Sequence, residues 1–195
     1  MVNLKKKKLE RRTIIKDLLR DRKELLVISG LGSPTYDVHF AGDHDQNFYL
    51  WGGMGGSAMI GLGLALAQPK RKVMVITGDG EQLMGLGSLA TIGIKRPDNL
   101  SIIILDNGHF GETGMQVSHT SMGVDLLQVA LGAGFLNTFL IQDQLDFENF
   151  LEKQKNISNC SFAVIKISPD QAKRSIPLVD GQKIKERFKK SIGLD

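Results

Sequence analysis

Apolar side chains at Leu9, Ile14, Ile15, Leu18 and Leu19 fall on one helical stripe and predict a helix within 9–25. The run Leu25-Leu26-Val27-Ile28-Ser29 behind it reads as a buried strand, followed by a glycine-rich turn, SGLGSPT. Residues 55–68, GGSAMIGLGLALAQ, are too long for a strand and rich in Gly and Ala, which predicts a helix whose small side chains admit another backbone closely. Pro69 and Lys70-Arg71-Lys72 end it. The pattern continues with a strand at 73–77, a helix at 81–95, a strand at 100–105, a helix at about 124–131 and a strand at 135–141. A helix at about 144–154, opened by Asp143, and a strand at 162–167 complete it. Continuous Val/Ile/Leu strands alternating with helices imply α/β architecture: a doubly wound parallel sheet with helices on both faces. The tail 169–195 is polar and carries one short helix at about 181–192.

At 195 residues the chain fits a single domain, 1–195, long enough to bury such a sheet. Its 42% hydrophobic and 24% charged residues place it among globular proteins rather than disordered or fibrous ones. No long uncharged apolar window and no signal-peptide core stand out, so the expectation is a cytoplasmic protein with no membrane partner. The one cysteine, Cys160, cannot by itself make a disulfide, an iron–sulfur site or a zinc site. Charge is uneven: residues 1–25 carry ten basic and four acidic side chains, 166–195 eight and four, and the stretch between them seven and thirteen. The basic run Lys5 to Lys8 lacks interleaved aromatics and the middle is acidic, which argues against a nucleic-acid partner.

In a doubly wound sheet the carboxyl ends of the strands share one edge, where ligands bind. Gly30-Leu31-Gly32-Ser33, Thr77-Gly78-Asp79-Gly80-Glu81 and Asp106-Asn107-Gly108-His109 all fall there, and Trp51-Gly52-Gly53-Met54-Gly55-Gly56 opens the helix at 55–68. Asp79 and Asn107 lie 28 residues apart (107 − 79), one crossover from each other, and so project from neighbouring strands. A carboxylate and an amide oxygen are hard ligands that, with a backbone carbonyl, suit Mg²⁺ or Ca²⁺ and a phosphate. Glycines beside Asp79 let N–H groups approach that phosphate, so the expected ligand is a metal-bridged diphosphate. GxGxxG fails at Leu83 and GxxxxGK[ST] is absent, which argues against the ordinary dinucleotide-binding and nucleotide-kinase readings. The polar cluster Asp37, His39, Asp43, His44 and Asp45 reads as an exposed loop rather than a metal site.

Gly78-Asp79-Gly80 followed by Asp106-Asn107-Gly108 and preceded by Gly52-Gly53-Met54-Gly55 resembles the diphosphate-binding domain of thiamine-diphosphate enzymes over roughly residues 10–168. With NFYLWGGMG and GSLATI, the chain is similar to β subunits of sulfopyruvate decarboxylases and to the C-terminal part of phosphonopyruvate decarboxylases. The resemblance implies thiamine diphosphate and Mg²⁺ as cofactors. Asp79, the side-chain oxygen of Asn107 and the carbonyl of His109 would hold the metal. Gly78, Gly80 and Glu81 on one side and Gly32 and Ser33 on the other would meet the diphosphate. The Gly52 carbonyl, beside Gly53, would receive the pyrimidine 4′-amino group, and Met54 would wedge between the two rings so that the 4′-nitrogen reaches thiazolium C2. Asp106 stands where many members have Asn. Glu112 and the His109 side chain, in HFGETGMQ, are the catalytic candidates for proton relay.

Members of this family need a glutamate on the pyrimidine, carried by a separate domain for which this chain has no room. The resemblance therefore implies a β subunit of a two-component 2-oxo acid decarboxylase, giving CO₂ and an aldehyde. A separate α subunit would supply the glutamate, the helix at 55–68 would contact it, and αβ pairs would assemble about two-fold axes. The alternatives are a subunit of an acetolactate-synthase-like carboligase and a non-catalytic cofactor-binding or regulatory subunit. The single cysteine argues against a cluster-bearing β subunit of a 2-oxoacid:ferredoxin oxidoreductase.

Overall fold

The computed structural model describes residues 9–155 and 158–194; the basic run Lys5 to Lys8 lies outside them. Six parallel strands form the main sheet: β1 (Leu26–Ser29), β2 (Asn47–Tyr49), β3 (Val73–Gly78), β4 (Leu100–Asp106), β7 (Asn137–Ile141) and β8 (Ser161–Lys166). Their order is β2-β1-β3-β4-β8-β7, and a separate antiparallel hairpin joins β5 (His109–Phe110) to β6 (Gln116–Val117). From β1 the chain turns outward to β2, and from β3 it turns the other way to β4. The gap between the ends of β1 and β3 is therefore the topological switch point.

Alternate residues of each central strand enter opposite layers. Val27, Met74, Ile76, Ile103 and Ile165 pack with α1 (Arg11–Leu19), α2 (Ser33–Ala41) and α7 (Gln144–Lys155). Leu26, Ile28, Val75, Ile102 and Val164 pack with α3 (Ser57–Ala67), α5 (Ser88–Lys95) and α6 (Leu126–Gly132). Both faces are covered, which is why these strands read as unbroken apolar runs.

Three expectations from sequence are corrected, and β2 and the β5–β6 hairpin are elements that the sequence reading did not predict. The first helix is Arg11–Leu19, and Leu9 instead bridges Ile167 at the edge of the sheet. The turn after β1 lasts only to Gly32, where α2 begins with Pro34 in its first turn. Asp37 and His39 thus belong to a helix, and Asp37 is wholly buried rather than looped out. The single helix expected at 81–95 is two, α4 (Asp79–Met84) and α5. It breaks where Gly85 and Gly55 (φ +91) meet backbone to backbone, since a Cβ on Gly85 would stand 2.2 Å from the Gly55 carbonyl. The expected tail helix is present as α8 (Gly181–Ser191), and it is no mere polar extension: it sends Ile184 into one layer and Phe188 into the other, where it meets Phe48 edge-on at 5.7 Å.

The small residues of α3 serve the sheet before any partner. A Cβ on Gly61 would stand 2.2 Å from Val75, while Met59, Gly63 and Leu66 face outward. Among the described residues no helix is long and apolar enough to cross a membrane.

Candidate functional site

The cleft at the switch point is a cavity of about 290 Å³. Its walls bring together Ser33, Met54, Gly78, Asp79, Gly80, Glu81, Asn107, His109 and Glu112, which are far apart in sequence. Gly32, Gly52 and Gly53 flank it without lining it. Gly32, at φ +81, is pressed against Glu112: a Cβ there would stand 2.7 Å from Glu112 Cγ. At that φ and that approach, a residue without a Cβ is what fits.

Asp79 sits at the first residue of α4, directly beyond β3, and is only 2% exposed. Its Oδ2 accepts hydrogen bonds from the Ser118 and Thr120 hydroxyls, the latter at 3.1 Å. Burial pushes its carboxyl above the ordinary value; the nearby Asp106 adds to the rise, and the two hydroxyls oppose it. The residues of the metal set fit a divalent cation, which would offset both the burial and the like-charge cost at Asp79. Asn107 Oδ1 accepts the His109 N–H at 2.8 Å, and an amide oxygen keeps a second lone pair for a metal. Asp106 takes a structural place. It accepts the Gly108 N–H at 3.0 Å, shares with Asp79 the single proton of the Thr120 hydroxyl, 2.9 Å away, and pairs with Lys166. That closes the turn from which Asn107 and His109 project. The His109 ring folds back on the Asn107 carbonyl at 2.9 Å.

The Glu81 side chain carries contacts that sequence reasoning did not assign. It is 3% exposed, and Oε2 accepts the Leu31 N–H at 2.8 Å and the Thr77 hydroxyl at 2.9 Å. Oε1 accepts the Ser57 N–H at 3.4 Å. One carboxylate thereby ties together the β1 turn, the end of β3 and the start of α3. Gly30 makes room for it, since a Cβ there would lie 2.0 Å from Oε2. An acid placed two residues after the Asp of Gly-Asp-Gly, facing no basic partner nearby in sequence, was the available signal. Ser118 and Thr120 had none, because they reach Asp79 across about 40 residues of chain.

Glu112, on a short 3-10 turn, is about one-third exposed and pairs with Arg174 at 3.2 Å. The polar cluster expected as an exposed loop divides. Asp37 makes ion pairs with Arg11 at 2.9 Å and Arg12 at 3.2 Å, yet burial still pushes its carboxyl up. Asp43 pairs with Arg187 at 2.8 Å. Among the described residues no group of three or more His, Cys, Asp or Glu is placed to hold a metal.

Residues 35–167 match the family described as thiamine pyrophosphate enzyme, C-terminal TPP binding domain. The chain is 37% identical to the sulfopyruvate decarboxylase subunit beta of Methanocaldococcus jannaschii, over 86% of this chain and 88% of that one. It is 44% identical to the phosphonopyruvate decarboxylase of Streptomyces viridochromogenes, over 58% of this chain and 28% of that one. A thiamine diphosphate-dependent 4-hydroxybenzoylformate decarboxylase from Rhodococcus jostii superposes with a TM-score of 0.69 at 21% identity, covering 85% of this chain and 34% of that one. At that identity the likeness speaks for the fold.

Proposed function

The chain belongs to the thiamine pyrophosphate enzymes through their C-terminal TPP-binding domain, and from that premise we propose that it is the cofactor-holding β subunit of a two-component 2-oxo acid decarboxylase. The substrate class is a three-carbon 2-oxo acid bearing a sulfonate or phosphonate, sulfopyruvate first, since the relatives that this chain covers almost end to end carry that name. Their designation as subunit beta supports an α partner, to which we assign the activating glutamate. The exposed face of α3, with Met59, Gly63 and Leu66, is the surface we assign to contact with it.

The observation that carries this reading is the convergence of a buried Asp79 with Asn107, His109 and Met54 on one cavity at the switch point. Asp79, Asn107 Oδ1 and the His109 carbonyl would hold Mg²⁺. The N–H groups of the Gly78–Glu81 turn and of Gly32 and Ser33 would take the diphosphate oxygens. When bound, thiamine diphosphate supplies the electron sink for loss of CO₂ from a 2-oxo acid. Met54 sits on the cavity wall, where it would shape the bend of the cofactor and exclude water, and the Gly52 carbonyl would accept the pyrimidine amino group. Glu112 or the His109 imidazole, both residues on the cavity wall, would move a proton at the reacting carbon.

Co-expression with the α subunit, followed by calorimetric titration of thiamine diphosphate with and without Mg²⁺, tests the cofactor reading. Mg²⁺-dependent binding is expected, and its absence refutes the reading. CO₂ release from sulfopyruvate, phosphonopyruvate and pyruvate then ranks the substrates. Release from pyruvate alone would overturn the substrate class.

A further inference from the structure

Between β8 and α8 the chain runs from Ser168 to Asp180 without regular secondary structure, yet it is held at intervals along its course. The Lys173 carbonyl accepts from the Arg12 guanidinium, Ser175 Oγ meets His39 Nδ1 at 2.8 Å, and the Leu178 carbonyl accepts the Trp51 indole N–H at 2.9 Å. This strap forms one wall of a small second cavity, lined by Gln171 and Arg174 from the strap and by Ser33, Tyr36, Asn107 and Glu112 opposite. Ser33, Asn107 and Glu112 also line the main cleft, whereas Met54 and Met84 line the main cleft alone. The strap therefore lies beside the part of the cleft that Ser33, Asn107 and Glu112 line.

Two arginines line this small cavity. Arg11 is 8% exposed and committed to the buried Asp37. Arg174 is different. Its side chain is 60% exposed, it rests over the Tyr36 ring at 5.6 Å, and its ion pair is with the partly exposed Glu112. An ion pair as open to water as this is worth little and exchanges readily for a better anion. A diphosphate held through one divalent cation keeps net negative charge, and a guanidinium presents paired donors matched to phosphate oxygens.

We propose that Arg174 is a cofactor-recognition residue: it exchanges Glu112 for the terminal phosphoryl group of the diphosphate and, through the strap, closes that part of the cleft. This rests on the cofactor reading above. The exchange also leaves the Glu112 carboxylate without its arginine when cofactor is present.

Calorimetric titration of the αβ complex, in Mg²⁺, with thiamine diphosphate and with thiamine monophosphate separates the possibilities. Arg174→Gln is expected to weaken diphosphate binding about tenfold or more, the scale of one charge-assisted hydrogen bond. It should change monophosphate binding less than about twofold, because the terminal phosphoryl group is absent. Arg174→Lys should recover part of the loss, keeping charge without the fork. Equal weakening of both ligands would mean only that the strap has loosened and would overturn the proposal, as would unchanged diphosphate affinity. A rise in KM for the 2-oxo acid with cofactor affinity unchanged would reassign Arg174 to the substrate and overturn it too. A wild-type complex that takes up no diphosphate refutes the cofactor reading itself, a result distinct from failure of the variant.

Discussion

The turn at 78–81 lines the cleft at the switch point and the strap at 168–180 lines the smaller cavity beside it, and they are held by different means. Asp79 and Glu81 are almost wholly buried, and each is surrounded by donors from distant elements. The strap is held by separate hydrogen bonds with Arg12, His39 and Trp51, by Leu178 against the core, and by an exposed ion pair at its margin. A buried carboxylate loses hydration that only its protein donors restore, so removing it leaves several groups unsatisfied at once. An exposed pair loses little when broken, since water replaces it. The turn is thus a fixed platform, whereas the Arg174–Glu112 pair on the strap is open to exchange.

The largest expected effect breaks the platform. Glu81→Ala strands the Leu31 and Ser57 N–H groups and the Thr77 hydroxyl, and should lower the stability of the subunit by about 3 kcal/mol or more in urea unfolding. Glu81→Gln should recover part of this, because its amide keeps one of the two acceptor oxygens. Next comes Gly30→Ala, whose added methyl would meet Glu81 Oε2 at 2.0 Å and the Thr77 hydroxyl at 2.5 Å. Both atoms are tied by hydrogen bonds, so the overpacking should cost about 1–3 kcal/mol by the same measurement. Asp79→Asn sharpens the contrast by sign. Burial and Asp106 raise the Asp79 carboxyl, so the neutral isostere should leave the metal-free protein at least as stable, in a thermal melt near neutral pH. It should also abolish the added stability that Mg²⁺ and thiamine diphosphate give. In the linkage, a raised folded value means that the folded form holds its proton longer than the unfolded chain. The cost of Asp79 is therefore absent at low pH and appears as pH rises through the carboxylate range. The smallest effect belongs to the strap: Arg174→Gln should shift urea-unfolding stability of the cofactor-free protein by no more than about 0.5 kcal/mol. A loss as large as that of Glu81→Ala would erase the distinction between platform and strap.

Legibility in the sequence follows the same division. Gly78-Asp79-Gly80 and Asp106-Asn107-Gly108 stand out because strand, turn and ligand residues are contiguous in each, and the two strands that carry them are neighbours in the sheet, with Gly78 paired to Leu105. Helix α2 did not stand out. Its sequence SPTYDVHFA has little amphipathic contrast, and its buried Asp37 is offset by Arg11 and Arg12, which come from another helix. The break between α4 and α5 was equally hidden, because it depends on Gly55 arriving against Gly85 from another part of the chain.

By itself the sequence determined five of the six strands of the main sheet, most of the helices and the parallel two-faced architecture, and it marked Asp79 and Asn107 as candidates, because each is written in local periodicity or in a short turn. The tertiary structure decided which strands flank the switch point, that Glu81 joins three elements, and that the strap lays Arg174 beside Asn107 and Glu112. These depend on contacts between residues tens of positions apart, whose geometry is set by how the layers pack rather than by any local preference of the chain.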